Sequence, residues 1–181
     1  MKSYQIHFIR HGATVEDNKG KYIGRSNVQL SQQGIEDLKK YDSLYSYPGT
    51  PLLYTSPLLR CVQTCNVLYP AIKPIIVDGL QECSFGDWEG KTAAELEKDT
   101  RFTAWLANSK DNAPPNGESG ADFTRRICKT FERLVAQLID SGETTAVIVT
   151  HGGVITTLLS IYGLPTDCQA RSQRAGDRGY L

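Results

Sequence analysis

Two short stretches of this chain carry residues that can do chemistry, and they share one layout. Arg10-His11-Gly12 follows the apolar run Ile6 to Ile9, and His151-Gly152-Gly153 follows the apolar run that ends at Thr150. Only three histidines occur in the chain, so two of the three stand at the same kind of strand-to-loop junction. In an open parallel sheet, ligands bind outside the carboxyl ends of the strands. Two histidines there, one with an arginine attached, point to a site that handles a small anion. Arg60 adds to it. It follows a third strand-like run and lies in the first turn of a helix, where the helix dipole is positive and a cation is misplaced. Such an arginine has no helix-stabilising role, so its removal is expected to cost the fold little. It is more useful beside Arg10, where planar guanidinium groups pair with phosphate oxygens two bonds at a time.

Histidine can take a phosphoryl group as a covalent nucleophile, with no metal needed. One ring nitrogen must then be unprotonated, and Arg10 and Arg60 disfavour a second proton on the ring. The same arginines stabilise the charge on the transferring group. A leaving alkoxide also needs a proton. Glu82, Asp87 and Glu89 crowd the stretch after the third strand-like run, and by composition they are equal candidates. A bound phosphate dianion would raise the pKa of whichever one faces it and keep it protonated near neutrality.

The elements that must hold these residues follow from periodicity. Strands are predicted at Tyr4–Ile9, Leu52–Tyr54, Ile75–Val77 and Thr145–Thr150. Helices are predicted from Ile35, over Leu58 to Leu68, as one or two between Thr92 and Ala107, and from Val154 to Tyr162. Phe123, Ile127, Phe131, Leu134 and Leu138 recur at steps of three and four, which gives a long amphipathic helix. Ser56 reads as the N-cap of the second helix and Pro57 as its first residue. Strands alternating with helices predict an α/β three-layer sandwich, a mostly parallel central sheet flanked by helices. His7 reads as a strand-face residue, and Tyr22, Phe85, Trp88 and Trp105 as packing aromatics first, with the lining of a pocket for an aromatic base as the alternative.

Composition narrows the function classes. The 181 residues suit one domain. Twenty Lys and Arg balance twenty Asp and Glu, which argues against nucleic acid as a partner. No apolar run reaches the length of a membrane span, and Met1 to Tyr4 do not read as a signal peptide. Five cysteines without framework spacing suit a reducing cytoplasm. Cys61 and Cys65 lie one helical turn apart but have no further ligand nearby in sequence, so they read as core residues, and no metal or other cofactor is expected.

Taken in order, Arg-His-Gly-Ala-Thr at 10, Tyr-Ile-Gly at 22, Leu-Ser-Gln-Gln-Gly at 30, Ser-Pro-Leu-Leu-Arg at 56, Glu-Cys-Ser-Phe-Gly-Asp-Trp-Glu-Gly at 82, Asn-Gly-Glu-Ser at 116 and Thr-His-Gly-Gly at 150 resemble the histidine phosphatase superfamily, the phosphoglycerate-mutase-like proteins. The resemblance runs over about residues 4–165 and implies the fold of that family over 1–166. It implies His11 as nucleophile and Glu82 as the acid and then the base, which settles the choice among the three carboxylates. It implies a phosphate pocket of Arg10, Arg60 and His151, with Asn18 and Gly152 beside them. The Phe-Gly-Asp-Trp-Glu, Pro-Asn-Gly-Glu-Ser and Phe-Thr-Arg-Arg runs look most like alpha-ribazole phosphatases, with a small phosphomonoester as substrate. Sugar-phosphate phosphatases share much of the pattern, and a broad sugar-phosphate phosphatase or a phosphoglycerate mutase is the second reading. Cys83 stands where the mutases usually carry an arginine, which favours hydrolysis.

The chain departs from the pattern in two places. Asp17 occupies a position where asparagine commonly contacts phosphate, and a carboxylate there would repel a dianion unless Asn18 takes over. Residues 167–181 form a polar, arginine-bearing tail in place of the family's last apolar strand segment. The sheet is then expected to end at an open edge, through which two copies can associate as a homodimer. A catalytically impaired phosphate-binding protein is the reading that these departures leave open.

Overall fold

The computed structural model describes residues 2–17 and 19–163. Four strands form one parallel sheet in the order β1-β4-β2-β3: β1 (Gln5–Arg10), β2 (Leu52–Thr55), β3 (Ile75–Ile76) and β4 (Thr145–Thr150). β1 runs in register with β4 from Gln5 opposite Thr145 to Arg10 opposite Thr150. On the other side of β4, Leu52 lies opposite Ala146 and Thr55 opposite Val149. This register brings the carboxyl ends of β1, β2 and β4 to one rim.

Alternation along the strands sorts the side chains into two cores, because successive residues face opposite sides of a sheet. Ile9, Leu53, Val147 and Val149 face α1 (Gln32–Tyr45) and α2 (Leu59–Leu68), and meet Leu38, Cys61, Cys65 and Leu68. Tyr54, Ala146 and Ile148 face the other way, toward Leu134 and Leu138 of α5 (Gly120–Ser141). Farther along α5, Ile127 packs with Val154 and Leu158 of α6 (Gly152–Tyr162). The result is a helix–sheet–helix sandwich, as the sequence predicts. β4 is buried along nearly its whole length, which explains its unbroken apolar run. His7 sits half-buried on β1 opposite Val147.

A third cluster lies apart from both cores. Trp88, Leu96 and Phe102 are buried together with the half-buried Tyr22, Phe85 and Trp105. It is built from α3 (Ala93–Leu96), α4 (Thr100–Ala107) and the loops beside them. A capping box of Thr92 and Glu95 starts α3, and the Asp99 side chain caps α4.

The second helix corrects the sequence reading at its start. Its N-cap is Leu58, which has no side chain to offer, and the first helical residue is Leu59. Ser56 and Pro57 precede the helix. The Ser56 hydroxyl is fully buried and committed elsewhere, as described below. Asn18 and the 167–181 tail lie outside the described residues. Among the described residues, no helix is long and apolar enough to cross a membrane.

Candidate active site

Strand ends deliver most of the chemistry. β1 ends at Arg10, so His11 enters the loop at the rim, and β4 ends at Thr150, so His151 does the same one strand over. The two rings meet edge to face, with centroids 5.2 Å apart. α2 starts just past the end of β2 and carries Arg60 in its first turn to the same place. A cavity of about 210 Å³ opens there, lined by Arg10, His11, Asp17, Arg60, Glu82 and Gly152, among others.

Hydrogen bonds fix the His11 tautomer. Nδ1 lies 2.8 Å from the Gly12 carbonyl oxygen, an acceptor only, so Nδ1 carries the proton. Nε2 then holds the lone pair and accepts a 3.1 Å bond from Arg60 Nε. Burial is the main cause that pushes the His11 pKa down to about 3, and the Arg60 and Arg10 guanidiniums add to it against the Gly12 bond. The sequence reading gave the arginines the leading role, but the structure gives it to desolvation.

Arg60 is not the solvated residue that its helix position suggests. It is only 2 % exposed. Besides Nε to His11, its terminal nitrogens donate to Ser26 O at 2.9 Å and to Gly24 O at 2.7 Å. Its charge answers a loop far away in sequence, so the unfavourable helix dipole is outweighed. Buried with three hydrogen bonds, it is part of the fold as well as the site, and its loss costs stability. Arg10 is exposed at the cavity, and among the described residues no side chain pairs with its guanidinium.

The three carboxylates part company. Glu89 accepts from the amides of Gly24, Arg25, Ser26 and Phe85 and from the Ser26 hydroxyl. Burial alone would raise its pKa, but these bonds hold it below the usual carboxylate value. Asp87 lies at the surface, paired with the Asn116 amide at 3.1 Å. Only Glu82 faces the cavity. Its oxygens accept from Cys83 N at 2.9 Å and Gly153 N at 3.1 Å, yet burial pushes its pKa up. That rise is present without any phosphate, whereas the sequence argument needed one. Gly153 is required here, because a Cβ at that position would overlap the Glu82 carboxylate.

His151 stands one layer back. It has no exposed surface and packs behind His11, off the cavity wall. Its Nε2 bonds the Ser56 hydroxyl at 2.8 Å and lies 3.5 Å from Cys61 Sγ. Burial first, then His11 and the arginines, lowers its pKa well below the ordinary value. This is where the Ser56 hydroxyl goes instead of capping a helix. Gly152 begins α6 on the cavity wall, so the N-terminal end of that helix faces the same space, with the Gly153 N–H given to Glu82. Asp17 turns its carboxylate back on Thr14, accepting from the amide at 3.0 Å and the hydroxyl at 2.7 Å. The described residues contain no cluster of three His, Cys, Asp or Glu arranged to hold a metal ion.

Sequence reasoning missed the scaffold under Glu82. Arg126 donates to Gly79 O at 2.9 Å, Gln81 O at 3.0 Å and Glu82 O at 3.3 Å, while Glu118 grips the same guanidinium at 2.7 and 2.8 Å. The Asn-Gly-Glu-Ser and Phe-Thr-Arg-Arg runs thus meet as an ion pair behind the acid loop.

This geometry has a counterpart among known proteins. The pattern of the histidine phosphatase superfamily (branch 1) matches residues 6–171. The chain belongs to this superfamily. It is 30% identical over 169 residues to the adenosylcobalamin/alpha-ribazole phosphatase of Escherichia coli K12, covering 90% of this chain and 81% of that protein. It is 29% identical to the glucosyl-3-phosphoglycerate phosphatase of Mycolicibacterium vanbaalenii, covering 92% and 78%. The alpha-ribazole phosphatase of Shigella flexneri superposes with a TM-score of 0.77 at 27% identity, covering 92% and 83%. The protein is a phosphatase, a hydrolase of this superfamily.

The histidine phosphatase has a second cavity beside the first. It measures about 630 Å³ and shares Ile23, Glu82 and Gly153 with the phosphate-sized pocket. Tyr22, Phe85 and Trp105 line it and touch one another, with ring centroids 5.1 to 6.1 Å apart. These three therefore pack, as the sequence suggests, and also wall a cavity. Trp88, at 1 % exposure, only packs.

Proposed function

We propose that the protein hydrolyses a phosphomonoester through a phosphohistidine at His11 Nε2, and that the substrate is alpha-ribazole 5'-phosphate. One observation carries the mechanism. An unprotonated imidazole nitrogen, its lone pair held only by the Arg60 Nε–H, and a carboxyl group with a raised pKa converge on one small cavity that also holds two guanidinium groups.

The steps follow from those groups. The Arg60 Nε–H passes from His11 Nε2 to an incoming phosphate oxygen, the freed Nε2 lone pair attacks phosphorus, and the P–O bond to the leaving group breaks. Protonated Glu82 gives its proton to the departing oxygen. Arg10 and Arg60 hold the equatorial oxygens as charge develops. The Nδ1–H keeps its bond to the Gly12 carbonyl, which steadies the ring once Nε2 is phosphorylated. Ionised Glu82 then takes a proton from water, the water oxygen attacks phosphorus, and the N–P bond breaks to release inorganic phosphate. His11 and Glu82 return to their starting states. Every step uses side chains of this chain, so turnover is expected to persist in a chelator. His151 acts from behind, keeping the His11 ring in place.

The substrate assignment rests on the relatives' names and on the larger cavity. A benzimidazole nucleoside leaves an aromatic base to be accommodated, and Tyr22, Phe85 and Trp105 offer ring faces and edges where the leaving group must lie. The four free cysteines among the described residues, with Cys61 and Cys65 fully buried, support a reducing compartment such as the cytoplasm. A panel of alpha-ribazole phosphate, glucosyl phosphoglycerate, simple sugar phosphates and 3-phosphoglycerate, assayed with chelator present, tests the whole reading. Alpha-ribazole phosphate should show the highest kcat/KM. A sugar phosphate in first place would leave the mechanism standing and move the substrate, and a strict need for added divalent metal would overturn the mechanism.

A further inference from the structure

Glu89 makes five hydrogen bonds and touches neither cavity centre, and the chemistry above gives it no task. Its partners show one. Oε1 accepts from Arg25 N at 2.9 Å and Phe85 N at 3.0 Å, and Oε2 accepts from Gly24 N at 3.0 Å and Ser26 N at 3.1 Å, with the Ser26 hydroxyl as fifth donor. Three consecutive amides of the 24–26 loop therefore point at one carboxylate. The same loop turns carbonyl oxygens of Gly24 and Ser26 to the Arg60 guanidinium. The Arg25 N–H and the Gly24 C=O belong to a single peptide unit. That one amide accepts from Arg60 on its oxygen side and donates to Glu89 on its nitrogen side.

We infer that Glu89 is a positioning residue for the phosphate site: through the Gly24–Arg25 peptide it fixes the Arg60 guanidinium against His11 Nε2. A chain of hydrogen bonds runs from the Glu89 carboxylate through the amide to the Arg60 cation and on to the nucleophile. Hydrogen bonds in such a chain polarise one another, so the anion makes the Gly24 oxygen a stronger acceptor for Arg60. Gly24 itself is needed for the approach, since a Cβ there would overlap both Glu89 Oε1 and the Cys83 carbonyl. The inference rests on Arg60 belonging to the phosphate site proposed above.

Glu89→Gln is the sharp variant. It keeps the shape and one oxygen, but its NH2 faces N–H donors wherever it is placed, so one set of loop contacts must open. The Arg60 group then shifts, and kcat/KM is expected to fall about 10- to 100-fold, the scale of a misplacement near 1 Å. Inhibition by inorganic phosphate should weaken in parallel. A purely structural role for Glu89 would lower activity as well, so a double-mutant cycle with Arg60→Ala decides. If Glu89 works through Arg60, Glu89→Gln changes kcat/KM of the Arg60→Ala protein by less than about twofold. If the two losses multiply, the inference fails while the phosphate-site reading stands. If Arg60→Ala alone leaves kcat/KM and phosphate inhibition intact, both fail. Should Glu89→Gln unfold at the assay temperature, Ser26→Ala, which removes only one donor to Glu89, enters the same cycle with the same criteria.

Discussion

Gly153→Ala should separate the acid from the fold. Gly153 is the second residue of α6, and an added Cβ would overlap Glu82 Oε1 and lie within 3.0 Å of its Cδ and Oε2. Ordinary contact begins near 3.4 Å, so the carboxylate must retreat by about 1 Å. A misplacement of that size costs about 10²-fold in rate, or about 2.7 kcal/mol of barrier, which is the lower end of what a lost general acid costs. The folded state should not suffer, because alanine in a helix is about 0.5–1 kcal/mol better than glycine. The assay compares kcat/KM for an alkyl phosphomonoester and for p-nitrophenyl phosphate, with Glu82→Gln as reference. kcat/KM reports only the steps up to phosphoryl transfer to His11. An alkoxide needs a proton to leave, and p-nitrophenolate does not. The alkyl ester should therefore lose about 10²-fold and the aryl ester little, with Tm unchanged or raised. Equal losses on both substrates would show that Glu82 is not the acid, and a lowered Tm would show that the clash is absorbed by the fold instead.

Other consequences are as direct. His11→Ala should abolish turnover of both substrates, and wild-type enzyme quenched in alkaline detergent should carry phosphate that is stable in base and labile in acid; near-native rates from a preparation free of other phosphatases would end the phosphohistidine scheme. His11 and His151 are neutral in the fold, with the His11 pKa lowered to about 3 and that of His151 well below its ordinary value. Below pH 6.5 the unfolded chain takes protons that the folded chain refuses, down to about pH 3 for His11, so these residues make stability fall as pH is lowered, by about 1.4 kcal/mol per pH unit for each histidine held neutral. His11→Gln should remove one proton from that slope in denaturant titrations at pH 7 and 5, and an identical slope in both proteins would contradict the neutral ring. Asp17→Asn should tighten inorganic phosphate binding in calorimetry, because Asp17 is at the cavity wall, its negative charge opposes a dianion, and the amide oxygen can still accept from Thr14. Weaker binding would mean that the Thr14 contacts shape the loop more than the charge opposes the ligand.

Much of the sandwich was legible because its signals are local. The apolar run at 145–150 and the three- and four-residue steps from Phe123 to Leu138 each define an element without outside help. Arg10, His11 and His151 were legible as a group for the same reason, since strand ends in a parallel sheet share a rim. What escaped depends on partners distant in sequence. Ser56 has the right type and place for a cap, but its hydroxyl is claimed by His151, 95 residues away. Arg60 is ill-placed on its own helix and well-placed against two carbonyls of the 24–26 loop. Glu82 and Glu89 are one residue type in one loop. One faces a cavity with two amide donors, and the other is surrounded by five donors, and only tertiary contacts tell them apart.

The small aromatic cluster of α3 and α4 has its own buried centre in Trp88, Leu96 and Phe102, separate from the two cores that hold the strand ends. Under the proposed function, bond-making falls to residues at the strand ends, and contact with the leaving group to a cluster packed around different residues. Substitutions at Trp105 can reshape the wall that a leaving group meets while His11 stays where β1 puts it. Such a partition lets one phosphoryl-transfer engine be refitted to new esters by exchange of a single peripheral segment. It fits the spread of substrate names, from a ribazole to a glucosyl phosphoglycerate, among relatives of comparable identity to this chain.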